Sequence, residues 1–258
     1  MMKKNILFSL SLMAMVCATV NAQDKKYPEP EPMKPGMTEY WVPQPKAVTP
    51  GDIKTNTAPS DAIVLFDGKD LSQWENTKGE AAGWRVHDGV ITVDKKKGDI
   101  RTKQKFGSFQ LHIEWCIPKS MTGSSQARGN SGVYLQGMYE VQVLDNYQNE
   151  TYSNGYAASI YKQSAPLVCP IRKPGEWNAY DIIYTAPVFK EDGSYLYRPR
   201  VTVIFNGVLV QNNTEILGTT EYIGLPRTVK HGDGPILLQA HGDPSEPISY
   251  RNIWIRPL

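Results

Sequence analysis

From residue 61 onward, apolar and polar residues alternate with a period of two, the spacing of a β-strand with one buried face. Residues 109–117 show the pattern most regularly, with an apolar side chain at every second position. Residues 201–205 run through Asn206-Gly207 into residues 208–210, and this sequence predicts a hairpin. We find no sustained helical period and no internal repeat, so the pattern predicts an all-β domain.

The same alternation predicts more short strands, separated by turns rich in Gly and Asn. They lie at residues 62–66, 84–87, 90–93, 130–136, 139–145, 235–241 and 248–256. Many short strands with such turns are typical of a β-sandwich or jelly roll. A chain of 258 residues is long enough to bury the core of one large β domain without disulfide bonds.

The N-terminal segment has the pattern of a secretory signal peptide. Lys3 and Lys4 precede an apolar run at residues 6–20, and small residues follow up to Ala22. The apolar run is too short to cross a bilayer comfortably, and we predict cleavage after Ala22. Cys17 is preceded by Val16, where a lipoprotein signal needs a small residue, so we do not expect lipidation. The sequence therefore predicts export to the periplasm or the extracellular space.

Residues 23–60 contain eight prolines, a density that prevents helix formation and disfavours sheet pairing. We predict an extended arm or linker, so that the chain divides into a leader at 1–22, a Pro-rich arm at 23–60 and one domain at 61–258. Two alternatives for the arm stay open, because Tyr40 and Trp41 could dock it on the domain or it could be disordered.

The charge balance argues against a nucleic-acid partner. The chain carries 28 basic and 26 acidic residues, and both excess lysines belong to the predicted leader, which leaves 26 of each. A formally neutral mature chain with 14 Tyr and 6 Trp is suited to a neutral ligand such as a sugar ring, and we expect a small carbohydrate partner. After cleavage no further apolar run approaches the length of a membrane span.

Two cysteines, Cys116 and Cys169, remain in the mature chain. A disulfide between them and a pair of buried thiols are both compatible with an exported protein. Neither cysteine is part of a Cys-x-x-Cys motif, so a metal site built on them is not expected.

Amide, carboxylate and imidazole side chains recur at the polar positions of four predicted strands. Such groups bind sugar hydroxyls, and we interpret them as one ligand-binding face beside aromatic residues. They are His112, Glu114, Asn130, Tyr134, Gln136, Glu140, Gln142, Gln239 and His241. A divalent metal bound by His112 or His241 with carboxylates is conceivable, but we expect no cofactor.

The sequence Glu140-x-Gln142-x-x-Asp145 is similar to the Glu-x-Asp-x-x-Glu strand of lectin-like glucanases. In a retaining glycosidase two carboxyl groups act together, and Gln142 cannot titrate. The departure counts against ordinary retaining hydrolysis. A Gly-x-Ser-x-Gly nucleophile motif and a phosphate-binding loop are both absent from the sequence.

A set of short motifs, taken together and in order, resembles the 3-keto-disaccharide hydrolase domain family over about residues 61–258. The motifs are Ile63-Val64-Leu65-Phe66-Asp67-Gly68-Lys69-Asp70-Leu71, Trp74, Trp84, Asp88-Gly89-Val90-Ile91, Gly129-Asn130-Ser131-Gly132-Val133, Tyr139-Glu140-Val141-Gln142-Val143-Leu144-Asp145, Gly175-Glu176-Trp177-Asn178, Asn206-Gly207, Gly234-Pro235-Ile236, Leu238-Gln239, His241-Gly242 and Arg251-Asn252-Ile253. The resemblance implies a concanavalin A-like jelly-roll sandwich and cleavage of glycosides that are oxidised at C3.

The implied chemistry needs a general base for the proton on C2, donors for the enolate oxygen and an acid for the leaving group. On this basis we assign Glu140, His241 and Glu114 as catalytic candidates. The substrate-binding candidates are Asn130, Tyr134, Gln142, Asp145, Trp177, Gln239 and Arg251. Within these sets, Glu114, Tyr134 and Asp145 are expected to orient neighbouring groups.

Two other functions fit the same sequence. A non-catalytic carbohydrate-binding module could share the fold, and a conventional endoglucanase could share the Glu140 strand. Several titratable groups on one face favour an enzyme over a binding module. The oligomeric state, the anomeric preference and the aglycone do not follow from the sequence.

Overall fold

The computed structural model describes residues 29–258. They fall into two compact units, and the boundary along the chain lies between Lys46 and Ala47. The predicted leader, Cys17 and the predicted cleavage site after Ala22 lie outside the described residues. In the first unit, the described residues form one 3-10 helix, Pro35–Met37, and no strand. This backbone agrees with the high density of prolines in that segment.

The second unit, Ala47–Leu258, contains fifteen strands and two 3-10 helices, Ser125–Ala127 and Ser153–Gly155. The strands are β1 (Ile63–Phe66), β2 (Trp74–Asn76), β3 (Arg85–His87), β4 (Val90–Thr92), β5 (Ile100–Thr102), β6 (Phe109–Cys116), β7 (Ser131–Leu135), β8 (Tyr139–Val143), β9 (Trp177–Thr185), β10 (Val188–Phe189), β11 (Tyr195–Tyr197), β12 (Arg200–Phe205), β13 (Val208–Glu215), β14 (Leu237–Leu238) and β15 (Ser249–Pro257).

The strands form two main antiparallel sheets. An eight-stranded sheet has the order β13-β12-β9-β6-β15-β4-β3, with β1 also paired to β15, and a five-stranded sheet has the order β2-β5-β14-β7-β8. Strands β10 and β11 make a separate ribbon. Several neighbours in each sheet are distant in sequence, such as β6 and β15 or β5 and β14, as in a jelly roll. The predicted all-β, concanavalin A-like jelly-roll sandwich is confirmed.

The core lies between the two main sheets, and it fixes which face of each strand points outward. Strand β6 buries Phe109, Leu111, Ile113 and Trp115 completely, as the alternation predicts. From β9, the Tyr180 hydroxyl crosses the core and donates to the backbone oxygen of Gln142 on β8, at 2.8 Å. The polar positions of β6 and of β8 therefore face away from each other, on opposite outer surfaces of the sandwich.

Two of the predicted strands are shorter in the structure. The strand predicted at 235–241 pairs only at Leu237–Leu238, although Gln239 N–H still donates to the Gly132 oxygen at 3.0 Å. The Ala240 N–H instead donates to the Asp99 carboxylate at 2.7 Å, and this side-chain contact replaces the sheet ladder. The strand predicted at 139–145 ends at Val143.

Gln136 does not lie on the polar face where the alternation places it. It occupies the β7–β8 turn with a φ of 51°, a left-handed conformation, and its side chain is buried. The amide bonds to the Phe106 oxygen and the Tyr184 hydroxyl inside the core. In the described chain, Cys116 and Cys169 do not form a disulfide. No helix between residues 29 and 258 is long and apolar enough to cross a membrane.

Candidate active site

A cavity of about 340 Å³ opens on the outer face of the five-stranded sheet, and we call it the β7–β8 cavity. Its walls come from the outward positions of β7 and β8, the segment after β14 and two loops. The lining residues are Asn130, Tyr134, Glu140, Gln142, Tyr161, Thr220, Tyr222, Gln239 and His241. Six of the sequence-predicted site residues therefore meet here: Asn130, Tyr134, Glu140, Gln142, Gln239 and His241.

Glu140 is the one carboxylic acid among the described residues that line this cavity. Glu140 is only 3% exposed. Burial raises the pKa of its carboxyl group to about 8, and the charge of Asp99 adds to this rise. A hydrogen bond from Tyr134 opposes part of this rise. A carboxyl group with a pKa near neutrality can accept and release a proton within the working range of most enzymes.

Tyr134 links Glu140 to Gln239 through a directed chain of hydrogen bonds. The Tyr134 hydroxyl donates to Glu140 Oε2 at 3.0 Å and accepts from Gln239 Nε2 at 3.2 Å. The amide orientation that this chain requires leaves Gln239 Oε1 buried and without a partner among residues 29–258. An unpaired buried acceptor carries a free-energy cost, and a donor from a bound ligand would remove it.

Gln126 orients Gln142 in the same way. Its Nε2 donates to the Gly155 oxygen at 3.0 Å, which turns its Oε1 toward Gln142 Nε2, also at 3.0 Å. Gln142 Oε1 is then a second buried acceptor with no partner in the described chain. Asn130 is held nearby, because its Nδ2 donates to the Gln126 backbone oxygen at 2.8 Å. The cavity thus presents two fixed amide oxygens to hydroxyl donors.

His241 contributes an oriented imidazole to the cavity. Its Nδ1 lies 3.0 Å from Asp243 Oδ2, so that Nε2 is the nitrogen left for other contacts. Asp243 is buried, which alone would raise the pKa of its carboxyl. Contacts with His241, Ser245 and Lys95 outweigh burial and lower that pKa to about 2. Contacts of Nδ1 with the carboxylate and the backbone N–H of Asp243 fix the direction of the imidazole ring.

The alternation of strand residues could not reveal Tyr161, Thr220 and Tyr222, because all three lie on loops. Thr220 Oγ1 accepts the backbone N–H of Glu140 at 2.9 Å. The Lys162 ammonium lies 4.5 Å from the centre of the Tyr222 ring and 5.6 Å from that of Tyr161, close enough for cation–π attraction. These aromatic rings wall the cavity on the loop side, where a sugar ring would need a flat partner.

Three comparisons with known proteins bear on this arrangement. The model of the 3-keto-alpha-glucoside-1,2-lyase-like domain family matches residues 61–256, about three quarters of the chain. The chain belongs to this family. Every residue that lines the β7–β8 cavity falls inside the matched region.

Relatives of this family member agree with the assignment. A "3-keto-disaccharide hydrolase" from Bacteroides thetaiotaomicron is 28% identical over 185 residues, which cover 56% of this chain and 61% of that protein. This chain thus matches about three fifths of the length of that curated relative. A crystal structure of a "putative glycosyl hydrolase" from Parabacteroides distasonis is 69% identical, with a TM-score of 0.85, covering 88% of this chain and 97% of the other. A second one from the same species, 21% identical with a TM-score of 0.54, shares the fold.

The interpretation of one ligand-binding face is wrong for Glu114, and two of the substrate-binding candidates, Trp177 and Arg251, also lie away from the β7–β8 cavity. These three residues lie on β6, β9 and β15, and they line a separate groove on the outer face of the eight-stranded sheet. His112 lies on that same face. The period of two shows that a side chain points outward but not from which sheet, so residues on opposite surfaces look alike in the sequence.

Asp145 also lies outside the cavity. Its side chain has no exposed surface, and its Oδ2 accepts from Arg128 Nε at 2.7 Å while Oδ1 accepts from the Tyr147 N–H at 3.0 Å. The strand has ended at Val143, so the i+5 position does not return to the face of Glu140. Asp145 braces a loop and cannot touch a ligand in the β7–β8 cavity.

The described residues offer no group of three or more His, Cys, Asp or Glu side chains that could bind a metal ion together. In the β7–β8 cavity the titratable groups are a carboxyl, an imidazole and phenols. This set can move protons and hold hydroxyls.

Proposed function

We propose that this protein is an exported enzyme that cleaves 3-keto-glycosides, with Glu140 as the general base. The observation that carries the proposal is the single buried carboxyl of the β7–β8 cavity, with a pKa of about 8. Membership of the 3-keto-alpha-glucoside-1,2-lyase-like family and the name of the Bacteroides thetaiotaomicron relative support the substrate class.

A ketone at C3 makes the proton on C2 acidic, because the resulting carbanion is an enolate. In the first step Glu140 takes the C2 proton, and the electron pair of the C–H bond moves into the enolate. The enolate then returns its electrons to form the C1–C2 double bond, and the C1–O bond breaks with its electron pair on the leaving oxygen. His241 supplies the proton that the leaving oxygen needs, since the contact of Nδ1 with Asp243 leaves Nε2 for the substrate.

Hydration completes the reaction. Water adds its oxygen to C1 of the enone and gives one of its protons to His241, which lost its own to the leaving group, and the protonated Glu140 returns a proton to C2. The net change is hydrolysis of the glycosidic bond, and Glu140 ends in the state in which it began. Gln142 Oε1 and Gln239 Oε1 accept hydrogen bonds from sugar hydroxyls throughout, because they are fixed and have no partner in the described chain.

This route needs one carboxyl group, whereas conventional retaining and inverting glycosidases use two. Glu140 is the one acid among the described residues lining the cavity, and Gln142 occupies the position of the second glucanase carboxylate. The arrangement therefore favours the elimination route over a conventional endoglucanase. It favours an enzyme over a binding module because a buried ionisable group with a raised pKa adds nothing to sugar affinity that an amide would not.

The test compares Glu140→Gln with wild-type protein on matched aryl glucosides, one native and one oxidised at C3. We expect wild type to release the aglycone from the 3-keto substrate and to leave the native one intact. Glu140→Gln should lose about 10²- to 10⁴-fold in kcat/KM, the usual contribution of a general base. Glu215→Gln on β13, an edge strand of the eight-stranded sheet that does not line the cavity, serves as the matched control and should keep full activity.

Proton exchange at C2 separates chemistry from binding. In heavy water, wild type should exchange the C2 proton of a 3-keto sugar, as seen by proton NMR, and Glu140→Gln should not. Cleavage of the native glucoside would support an endoglucanase instead. Binding of either sugar without exchange or cleavage would support a carbohydrate-binding module. Full activity of folded Glu140→Gln would disprove the assignment of the base.

A further inference from the structure

A second cavity in the described chain is larger than the one that contains Glu140. It is a groove of about 600 Å³ on the outer face of the eight-stranded sheet, and we call it the β9–β15 groove. Strands β6, β9 and β15, the segment around Asn56 and the β12–β13 turn form its walls. The protein core separates the groove from the β7–β8 cavity, so the groove is not an extension of the candidate active site.

The carboxylates of the groove are occupied by internal partners. Glu114 Oε2 accepts from Arg251 Nε at 2.6 Å, and Glu114 Oε1 accepts from Asn252 Nδ2 at 2.9 Å. Asp181 Oδ1 lies 2.7 Å from His112 Nδ1, and the His112 ring stacks on Trp254 with 5.4 Å between the ring centres. Burial alone would lower the pKa of His112, but Asp181 and Glu114 raise it to about 9. The cluster is therefore neutral as a whole, because the cations His112 and Arg251 balance the anions Glu114 and Asp181.

The remaining charges in the groove are positive. Lys54 and Arg172 line it, and neither forms an ion pair with a residue between 29 and 258. Arg251 uses its Nε on Glu114, which leaves the terminal nitrogens of the guanidinium for a further acceptor. The guanidinium carbon lies 4.1 Å from the centre of the Trp177 ring, so Arg251 is held against the indole by a cation–π contact. Fixed guanidinium groups bind carboxylates through paired hydrogen bonds.

Asn178 provides the independent sign of a missing ligand. It is 1% exposed and lines the groove, and its Nδ2 has no acceptor among the described residues. The orientation of the amide is fixed, because Oδ1 accepts from Asn206 Nδ2 at 2.8 Å and from the Arg172 backbone N–H at 3.0 Å. A buried donor without a partner is costly, and an acceptor brought by a ligand would satisfy it.

We propose that the β9–β15 groove is a second saccharide-binding site, separate from the site of bond cleavage, that takes a sugar bearing a carboxylate. The unused groups are donors or cations, namely Lys54, Arg172, Arg251 and Asn178, whereas a hexuronate unit supplies acceptors and a negative charge. The groove is large enough for more than one sugar unit, and Trp177 provides an aromatic wall beside the charged groups. The proposal does not depend on the reaction proposed above.

The experiment measures binding by isothermal titration calorimetry with the whole protein at one fixed ionic strength. The probes are tetragalacturonate, its fully methyl-esterified form as the neutral match, and acetate as a simple anion. We expect tetragalacturonate to bind and the methyl ester to bind at least about tenfold more weakly, the loss typical of a charge-assisted hydrogen bond. Acetate at the same concentration should not displace tetragalacturonate.

Variants locate the binding. Arg172→Ala and Lys54→Ala are at exposed positions, so they should fold, and each should weaken tetragalacturonate binding about tenfold. Lys78→Ala, an exposed change on the five-stranded sheet side, should leave it unchanged. Glu140→Gln should also bind tetragalacturonate normally, which distinguishes this site from the β7–β8 cavity. Absence of binding, equal binding of the methyl ester, displacement by acetate, or full affinity in Arg172→Ala would each overturn the proposal.

Discussion

Gly132 on β7 is paired with Gln142 on β8, and Glu140 is its diagonal neighbour on the same face, with its carboxylate in the place where a Cβ atom on Gly132 would stand. A Cβ atom there would also come within 2.9 Å of the Tyr134 ring. The φ angle of Gly132 is not in the left-handed region, so the glycine is needed for space and not for backbone conformation. The buried position of Glu140, and with it the raised pKa of its carboxyl, depends on this missing side chain.

We therefore expect Gly132→Ala to push the Glu140 carboxylate out of position. Activity on a 3-keto-glucoside should fall by about 10²-fold in kcat/KM, since small displacements of a catalytic group cost this much. Crowding should also lower the free energy of unfolding by about 1–3 kcal/mol. Gly232→Ala is the matched control, because a Cβ atom there meets no atom within 4 Å. Equal activity of the two variants would contradict the dependence of Glu140 on Gly132.

The pH dependence of kcat/KM provides a second test. A general base works as its conjugate anion, so activity should rise with pH and level off above about 8, the pKa of Glu140. The Tyr134 hydroxyl lowers this pKa by donating to the carboxylate, and Tyr134→Phe should therefore move the rise toward higher pH. At neutral pH the variant should lose about tenfold in kcat/KM, as one lost hydrogen bond to a charged group predicts.

Tyr197→Phe on the exposed ribbon strand β11 controls for removal of a hydroxyl and should leave the profile unchanged. Rate measurements across the range from about pH 5 to pH 10 in overlapping buffers would resolve the shift. An unshifted profile in Tyr134→Phe, with normal rates at high pH, would show that the hydroxyl does not set the pKa of Glu140.

Much of the fold could be predicted from the sequence because strand alternation is a local signal. The period of two predicts β6, β12 and β15 to within a residue or two of their ends, and it predicts the first three residues of β13, which continues to Glu215. It also placed Glu140 and Gln142 together, since they are two residues apart on one strand. Strand β14 was overestimated because a side-chain contact from Asp99 to the Ala240 N–H ends its ladder, and no local pattern encodes that partner.

The candidate site could be predicted only in part, for the same reason. Glu114 and Glu140 both occupy outward positions of their strands, yet they lie on opposite surfaces of the sandwich. Which sheet a strand joins is decided by long-range pairing, and alternation is blind to it. Loop residues such as Tyr161 and Tyr222 reach the cavity through the path of the chain between strands, so their place there could not be inferred either.

Asp145 tests the distinction between a ligand contact and a structural brace. Its carboxylate is completely buried against Arg128, and Asp145→Asn would leave the Arg128 cation without its partner. We expect the free energy of unfolding to fall by about 3–5 kcal/mol, as when one member of a buried ion pair is removed. Glu215→Gln breaks exposed ion pairs and should change stability by less than about 1 kcal/mol.

Urea unfolding of the two variants measures this difference, and KM for a 3-keto-glucoside should stay close to the wild-type value while Asp145→Asn remains folded. A KM raised tenfold or more at unchanged stability would instead show that Asp145 contributes to ligand binding.

The contact of the buried His112 with the partly exposed Asp181 predicts a loss of stability in mildly alkaline solution. Both Asp181 and Glu114 raise the pKa of His112 from the ordinary 6.5 to about 9. The folded state thus holds this proton more tightly than the unfolded state, and the stabilisation is complete below pH 6.5 and is lost as pH rises through 9. The magnitude is about 1–3 kcal/mol for a shift of this size. Glu140 also loses a proton near pH 8, so the comparison is made in the Glu140→Gln background.

In that background, Asp181→Asn removes the partner at 2.7 Å and should reduce the loss of stability between pH 6.5 and pH 9. Urea unfolding at a series of pH values measures the two curves, and their difference cancels other titrating groups that the variants share.

At low pH the curves carry a second signal. Burial alone would raise the pKa of Glu114, but contacts with His112, Asn252 and Arg251 lower it to about 2. Both proteins should therefore lose stability as pH falls from about 4.5 toward 2. Parallel curves from pH 6.5 to pH 9 would mean that Asp181 does not raise the pKa of His112 in the folded protein, and would contradict this prediction.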